Sequence, residues 1–255
     1  MTLILGTYYN NNNGILIASE SRAVRKYDIM PFSRKITQIN EIILSLSGVV
    51  SLIEEITEGI EEQIGKKSET STIREIIHQV YSEKREFYTS GDNPTIEKKK
   101  FQCSGLIGFF NDKPELFHVS DSGVLSSLQD DKLMAVGQKQ EYAEGIIRDL
   151  YWDGINQEQA IKLAVYTLNE VSKKNGGVDN RVQIATIEEG KIKILNLEEE
   201  KEFDFEKFNP VIEKMESERT ASLQRVAFHT LMFGEEKTRK DLETLLKNVK
   251  TPFND

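Results

Sequence analysis

The chain has 255 residues and a formal net charge of -9, from 42 acidic and 33 basic side chains, with lysine and arginine scattered along it. A nucleic-acid backbone needs a concentrated basic face, so nucleic acid is not an expected partner. The one cysteine, Cys103, excludes an internal disulfide and fits a reducing compartment. No apolar run has the length of a membrane span, and residues 1–20 lack the charged, apolar and small-residue regions of a signal peptide. The expectation is a cytoplasmic protein without a membrane partner.

In chain order, Leu3 to Tyr8 reads as a strand, the Asn10 to Gly14 run as a hairpin turn and Ile15 to Glu20 as the return strand. A second pair follows, Arg34 to Asn40 and Ile42 to Leu46, ending in Ser47-Gly48. The period then changes. Val49, Leu52, Ile53, Ile56 and Ile60 recur at helical spacing opposite Glu54, Glu55, Glu58, Glu61 and Glu62, which predicts an amphipathic helix closed by Gly65. A second helix is predicted from Thr72 to about Tyr88, with Ile73, Ile76, Ile77 and Val80 inward, and a surface loop from Ser90 to Lys100. Strands return at Phe101 to Phe110 and Glu115 to Val119, with an Asp121-Ser122-Gly123 turn behind them. Two helices, about 138 to 152 and 157 to 174, precede a last strand pair around 181 to 196. Strand runs alternating with helix pairs predict an α+β sandwich of two antiparallel sheets between helix layers. Residues 1–198 form the body, and 199–255, charged and helical in pattern, a C-terminal extension.

Common chemical signatures are absent. His78, His118 and His229 stand apart without HExxH or paired cysteines, so no metal and no cofactor is expected. The stretch Gly59 to Lys67, GIEEQIGKK, has the wrong glycine spacing for a phosphate loop and follows no strand. Cys103 lies in the apolar run FQCSGLIGFF, where a free thiol acts as a small hydrophobe.

The first fifty residues are more specific. They carry, in order, Thr2, Ala18-Ser19-Glu20-Ser21-Arg22, Arg34-Lys35-Ile36 and Leu46-Ser47-Gly48. Together these pieces resemble the opening of a proteasome β-type subunit, in a family of N-terminal nucleophile hydrolases built as four-layer αββα sandwiches and assembled into rings. The resemblance extends over roughly residues 2 to 195, including YAEGIIRDL at 142–150 and NGGVDN at 175–180.

By that resemblance, removal of Met1 turns Thr2 into both nucleophile and base, a hydroxyl and a free α-amine on one residue. The ammonium of Lys35 would favour the neutral amine, since like charges disfavour each other. Glu20 would keep Lys35 charged and oriented, Arg22 would complete the carboxylate's surroundings, and the Gly48 backbone N–H would face the oxyanion. Three supporting positions depart from the family pattern: Gln138, Ser172 and Asn175 stand where active members carry a serine, an aspartate and a serine. Their polar atoms can hydrogen-bond, but none restores the missing negative charge. Ala23, Ser33, Thr37, Leu46 and Val50 would line the substrate pocket, and their small or apolar nature predicts an apolar side chain before the cleaved bond.

Three activities fit this reading. One is a threonine peptidase or amidase in a homo-oligomeric ring, acting on peptides or unfolded proteins with an ATPase or other activator. Another is an acyl transferase of the same fold, resembling the connectase-like ligases. The third is an inactive structural subunit comparable to a proteasome α subunit, although such subunits carry a helix ahead of the first strand, where this sequence has only Met1 and Thr2.

Overall fold

The computed structural model describes residues 2–20, 23–25, 28–30, 35–66, 73–90, 101–151, 154–174 and 182–196. It opens on the predicted hairpin, β1 (Leu3–Tyr9) and β2 (Gly14–Glu20). Asn10, Asn11 and Asn12 take positive φ of 50°, 54° and 69° between them, a conformation asparagine tolerates better than most residues. That turn fixes the pairing of Tyr9 with Gly14 and of every residue behind it. A short ribbon, β3 (Ala23–Arg25) and β4 (Asp28–Met30), is followed by β5 (Ile36–Ile39) and β6 (Ile42–Gly48).

Two helices come next, α1 (Val50–Lys66) and α2 (Ile73–Thr89), then β7 (Cys103–Asn111), β8 (Lys113–Val119), β9 (Leu125–Ser127) and β10 (Leu133–Gly137). The described chain closes with α3 (Gln140–Leu150), α4 (Gln157–Lys174), β11 (Val182–Glu188) and β12 (Lys191–Asn196).

The long strands form two five-stranded sheets, ordered β10-β1-β2-β11-β12 and β5-β6-β7-β8-β9, with every pairing antiparallel. Side chains alternate across a strand, so each sheet offers two faces. Ile4, Ile15 and Ile17 of the first sheet meet Ile43, Leu106 and Leu116 of the second in a shared core. The outer face of the second sheet, through Leu44, Ile107 and Phe117, packs on Leu52, Ile56 and Ile60 of α1 and Ile77 and Val80 of α2. On the first sheet, α3 buries Ala143 and Ile147, and α4 buries Leu163, Ala164 and Leu168. Burying each large aliphatic side chain stabilises by about 1.5–3 kcal/mol, so both faces of both sheets must be covered. The architecture is the four-layer αββα sandwich.

Tyr8 links the layers: its hydroxyl accepts the Leu116 N–H at 2.9 Å, and burial pushes its pKa up. An N–H that would otherwise be stranded between sheets is thereby satisfied.

Gly65 was expected to close α1, yet the helix runs through Lys66. A Cβ on Gly65 would meet nothing within 4 Å, so solvent surrounds it and the helix tolerates it at modest energetic cost. Four strands were not anticipated: β3, β4 and β9 are three residues each, too short to show alternation, and β10 has only five. The chain divides into two units, Met1–Lys201 and Glu202–Asp255; the helical reading of 199–255 lies outside the described residues. Among the described residues, no helix is long and apolar enough to cross a membrane.

Candidate active site

Thr2 lies at the entrance to β1, where the pairing of Leu3 with Gly137 brings it beside the end of β10. Its carbonyl accepts two hydrogen bonds, from the Gln138 N–H at 3.0 Å and from the Ser47 hydroxyl at 3.2 Å. Only 4% of Thr2 is exposed. Gly137 makes this approach possible: its φ is +103°, and a Cβ there would lie 1.9 Å from the Thr2 carbonyl oxygen. A glycine is required for both reasons.

Ser47 is followed by Gly48, another position that requires glycine, with φ +154° and a virtual Cβ 2.0 Å from the Gln102 carbonyl oxygen. Here the chain leaves the sheet and enters α1, and the Gly48 backbone is exposed. Its amide thus stands at the open end of β6, one residue beyond the side chain that holds Thr2.

Lys35 immediately precedes β5. Its backbone N–H donates to Gln183 Oε1 at 2.6 Å, and the Ile36 N–H reaches the same oxygen at 3.3 Å. Its carbonyl accepts from the Ser45 hydroxyl at 3.0 Å. Gln183 pairs in register with Ser19, and Val182 with Glu20, so the residue anchoring the lysine backbone sits beside the strand end that carries the carboxylate. Glu20 is fully buried. Burial lowers the pKa of Lys35 below the ordinary lysine range, while the charge of Glu20 opposes that shift.

Lys35, Thr37, Leu46 and Val50 line one pocket, joined by Leu44, Ile53, Glu54 and Thr57. Three of the five expected pocket residues therefore meet Lys35. Ala23 pairs with Met30 in the β3–β4 ribbon; its side chain, together with Ser33, Arg22 and Asn175, lies outside the described residues. Ser172 is half-buried in the last turn of α4. Gln138 contacts Thr2, through its backbone N–H.

The model of the proteasome subunit family matches residues 7–187. The chain belongs to the proteasome subunit family. A protein named proteasome subunit alpha from Pyrococcus horikoshii is 26% identical over 212 residues, 81% of this chain and 77% of that protein. One named proteasome subunit beta 1 from Thermococcus onnurineus is 29% identical over 94 residues, 37% of this chain and 45% of its own. Among solved structures, an Anbu (Gly-1) mutant from Hyphomicrobium sp. strain MC1 superposes with a TM-score of 0.67 at 15% identity, covering 87% of this chain and 96% of that one. That likeness is one of fold.

Two residues of this proteasome-family chain carry contacts that the sequence reading did not assign. The sequence alone predicts no contact for Ser47 or for Gln183 in RVQIATIE. A polar side chain in a strand that is apolar on both sides is the available signal, since buried polar groups must find partners. The partners themselves are 45 and 148 residues away.

Cys103 is fully buried, contacts the Tyr81 hydroxyl at 3.6 Å, and has its thiol pKa pushed up to about 12, foremost by burial. A thiolate, the reactive form, scarcely forms there. Iodoacetamide is expected to leave Cys103 unmodified in the folded chain at mildly alkaline pH and to modify it fully after denaturation. Intact mass reads both; rapid native alkylation would contradict the burial.

Proposed function

We propose that this chain is a threonine-type N-terminal nucleophile hydrolase that cleaves peptide amides through Thr2 once Met1 is removed. The observation that carries the reading is the anchoring of Thr2. Its carbonyl is held by Ser47 and Gln138, at the open end of the strand that leads to Gly48, while Lys35 and the buried Glu20 interact electrostatically.

The chemistry balances with these groups alone. The Thr2 Oγ attacks the substrate carbonyl carbon as its proton passes to the α-amine, whose ordinary pKa of about 7.7–8.0 leaves a neutral fraction at physiological pH. The Gly48 N–H receives the oxyanion. Collapse breaks the amide C–N bond, the proton goes to the leaving amine, and an acyl ester remains on Oγ. Water then attacks the ester carbonyl, giving its proton to the α-amine; collapse breaks the ester C–O bond, the ammonium returns the proton to Thr2 Oγ, and the acid is released. An acceptor amine in place of water would make the same site an acyl transferase. Lys35 serves as an electrostatic aid to the amine, with Glu20 as its charge partner; by the resemblance, Arg22, Gln138, Ser172 and Asn175 would form the polar surroundings. Peptide or unfolded protein is the proposed substrate, in a homo-oligomeric ring served by an ATPase or other activator.

A second reading has its own support. The match to a protein named proteasome subunit alpha along 81% of this chain favours a structural ring subunit without catalysis.

The test is intact mass and N-terminal sequencing before and after exposure to a peptide epoxyketone, a reagent captured by N-terminal threonine. The expected result is a chain beginning at Thr2 that gains one equivalent of reagent, with Thr2→Ala unlabelled. A chain that retains Met1 and takes no label would establish the structural subunit instead.

A further inference from the structure

Lysine carries its charge on a long, rotatable stem, so where the Lys35 ammonium stands depends on how its own backbone is held. Both peptide groups that flank its Cα are fixed by side chains. Gln183 Oε1 accepts the Lys35 N–H at 2.6 Å and the Ile36 N–H at 3.3 Å, and the Lys35 carbonyl accepts the Ser45 hydroxyl at 3.0 Å. The two anchors come from different sheets, Gln183 from β11 of the first and Ser45 from β6 of the second. Both partners of Gln183 are donors, so its amide oxygen and not its nitrogen has to face them.

Packing does not account for a glutamine here. Side chains two apart on a strand share a face, and Ala185 and Ile187, on the face of Gln183, belong to the apolar core between the sheets. Gln183 is itself 2% exposed. A leucine would fill that space without taking an amide out of water. What the amide adds is an acceptor at the point where β5 begins. The register supplies the direction: Gln183 pairs with Ser19 and Val182 with Glu20, so a lysine backbone held by Gln183 is brought to the end of β2, where its charge partner lies.

We infer that Gln183 is a positioning residue for the proposed reaction: its amide oxygen clamps the backbone at Lys35 and Ile36 and so aims the lysine stem at Glu20 and the Thr2 amine. This rests on the proposed role of Thr2 and deepens it. Gln183 carries no charge, so its effect is geometric; the charge that acts on Lys35 is that of Glu20, with Glu54 of α1 in the same pocket wall.

A double-variant cycle on the full chain tests this, read as the rate of mass gain at Thr2 with a peptide epoxyketone that carries leucine next to its reactive group. Gln183→Met, similar in length but without the acceptor, is expected to slow capture about 10²-fold, the scale of displacing a reacting group by about 1 Å. Lys35→Met/Gln183→Met should then be no slower than Lys35→Met alone, within about twofold, because a residue that acts through Lys35 has nothing left to position. Gln183→Glu keeps an oxygen at the same reach and should restore most of the lost rate. Its added carboxylate should also move the alkaline limb of the pH profile, where Lys35 loses its proton, to higher pH. If the full Gln183→Met loss persists without Lys35, or Gln183→Glu is as slow as Gln183→Met, the glutamine serves the fold alone and the inference is overturned. Should Gln183→Met not fold, Gln183→Glu decides by itself, and an alkaline limb left in place overturns the inference. Each of these outcomes leaves Thr2 as nucleophile. Failure of the unsubstituted chain to take the probe once Met1 is gone would instead overturn the nucleophile reading, and this inference with it.

Discussion

Lys35→Met is expected to slow capture of an epoxyketone at Thr2 by about 10²–10⁴-fold, the range typical of losing a group that assists proton transfer. The ammonium has no apparent structural duty in holding β5, because the strand entrance is tied by backbone groups to Gln183 and Ser45. Its loss nonetheless removes the cation that interacts with Glu20, a carboxylate with no solvent exposure. An unbalanced buried charge is destabilising, so the single variant should also melt lower at neutral pH. The double variant Lys35→Met/Glu20→Gln separates the two effects: it should recover the melting temperature and remain inactive. Recovery of capture together with stability would show that the lysine acts only through the fold.

The sign of the pH dependence follows from the same pair. Under the proposed mechanism, activity rises as the Thr2 amine loses its proton. It falls again when Lys35 is deprotonated. Because burial lowers the pKa of Lys35, that alkaline limb should lie below the ordinary lysine value of about 10.4. Glu20 is the group holding it up, so Glu20→Gln moves the limb to still lower pH. A limb that stays fixed in the Glu20 variant would break the proposed coupling.

Gly137→Ala is the second large effect. A methyl 1.9 Å from the Thr2 carbonyl oxygen cannot be accommodated, and φ +103° is hostile to any side chain. Backbone strain and overpacking together put the loss at about 2–5 kcal/mol, read as a fall in melting temperature. Whichever side yields, the Gln138 N–H bond to Thr2 at 3.0 Å is broken, and probe capture should disappear even in the folded fraction. Gly145→Ala is the matched comparison. Gly145 lies in α3, where an added Cβ meets nothing within 4 Å, so the same change there should stabilise by about 0.8–1 kcal/mol. Equal, small effects at both glycines would mean that Thr2 is not held against β10.

The contrast between these elements explains what was legible beforehand. The helices α1, α2 and α4 each span 17 or 18 residues, long enough for their periodicity to be plain. Strands β1, β2, β7 and β8 announce themselves by apolar runs and by their Asn- or Gly-bearing turns. In β10, the five residues LMAVG run directly into the polar residues that begin a helix, and their β-structure comes from partners on β1 rather than from their own pattern. Missing β10 meant missing why Thr2 is buried. For the site, the order Thr2, Glu20, Lys35, Gly48 was visible as a family resemblance, whereas Ser47 and Gln183 act through contacts that only the packed sheets create. Glu54 was read as part of the solvated face of α1; it is exposed there and also lines the pocket.

The burial of Thr2 has a consequence in time. Leu3 cannot be locked against Gly137 until the residues of β10 have been synthesised, more than half a chain later. At about 5–20 residues per second, that interval is on the order of ten seconds. Throughout it, Thr2 is free of the contacts that later bury it, and under the proposed mechanism the removal of Met1 belongs to this interval. After β10 pairs, the bond between Met1 and Thr2 adjoins a residue held at 4% exposure. Under the proposed mechanism, whether a given molecule ever becomes an enzyme is thus decided while it is being made. Slowing methionine removal, or hastening translation between β1 and β10, should yield folded molecules that are permanently silent.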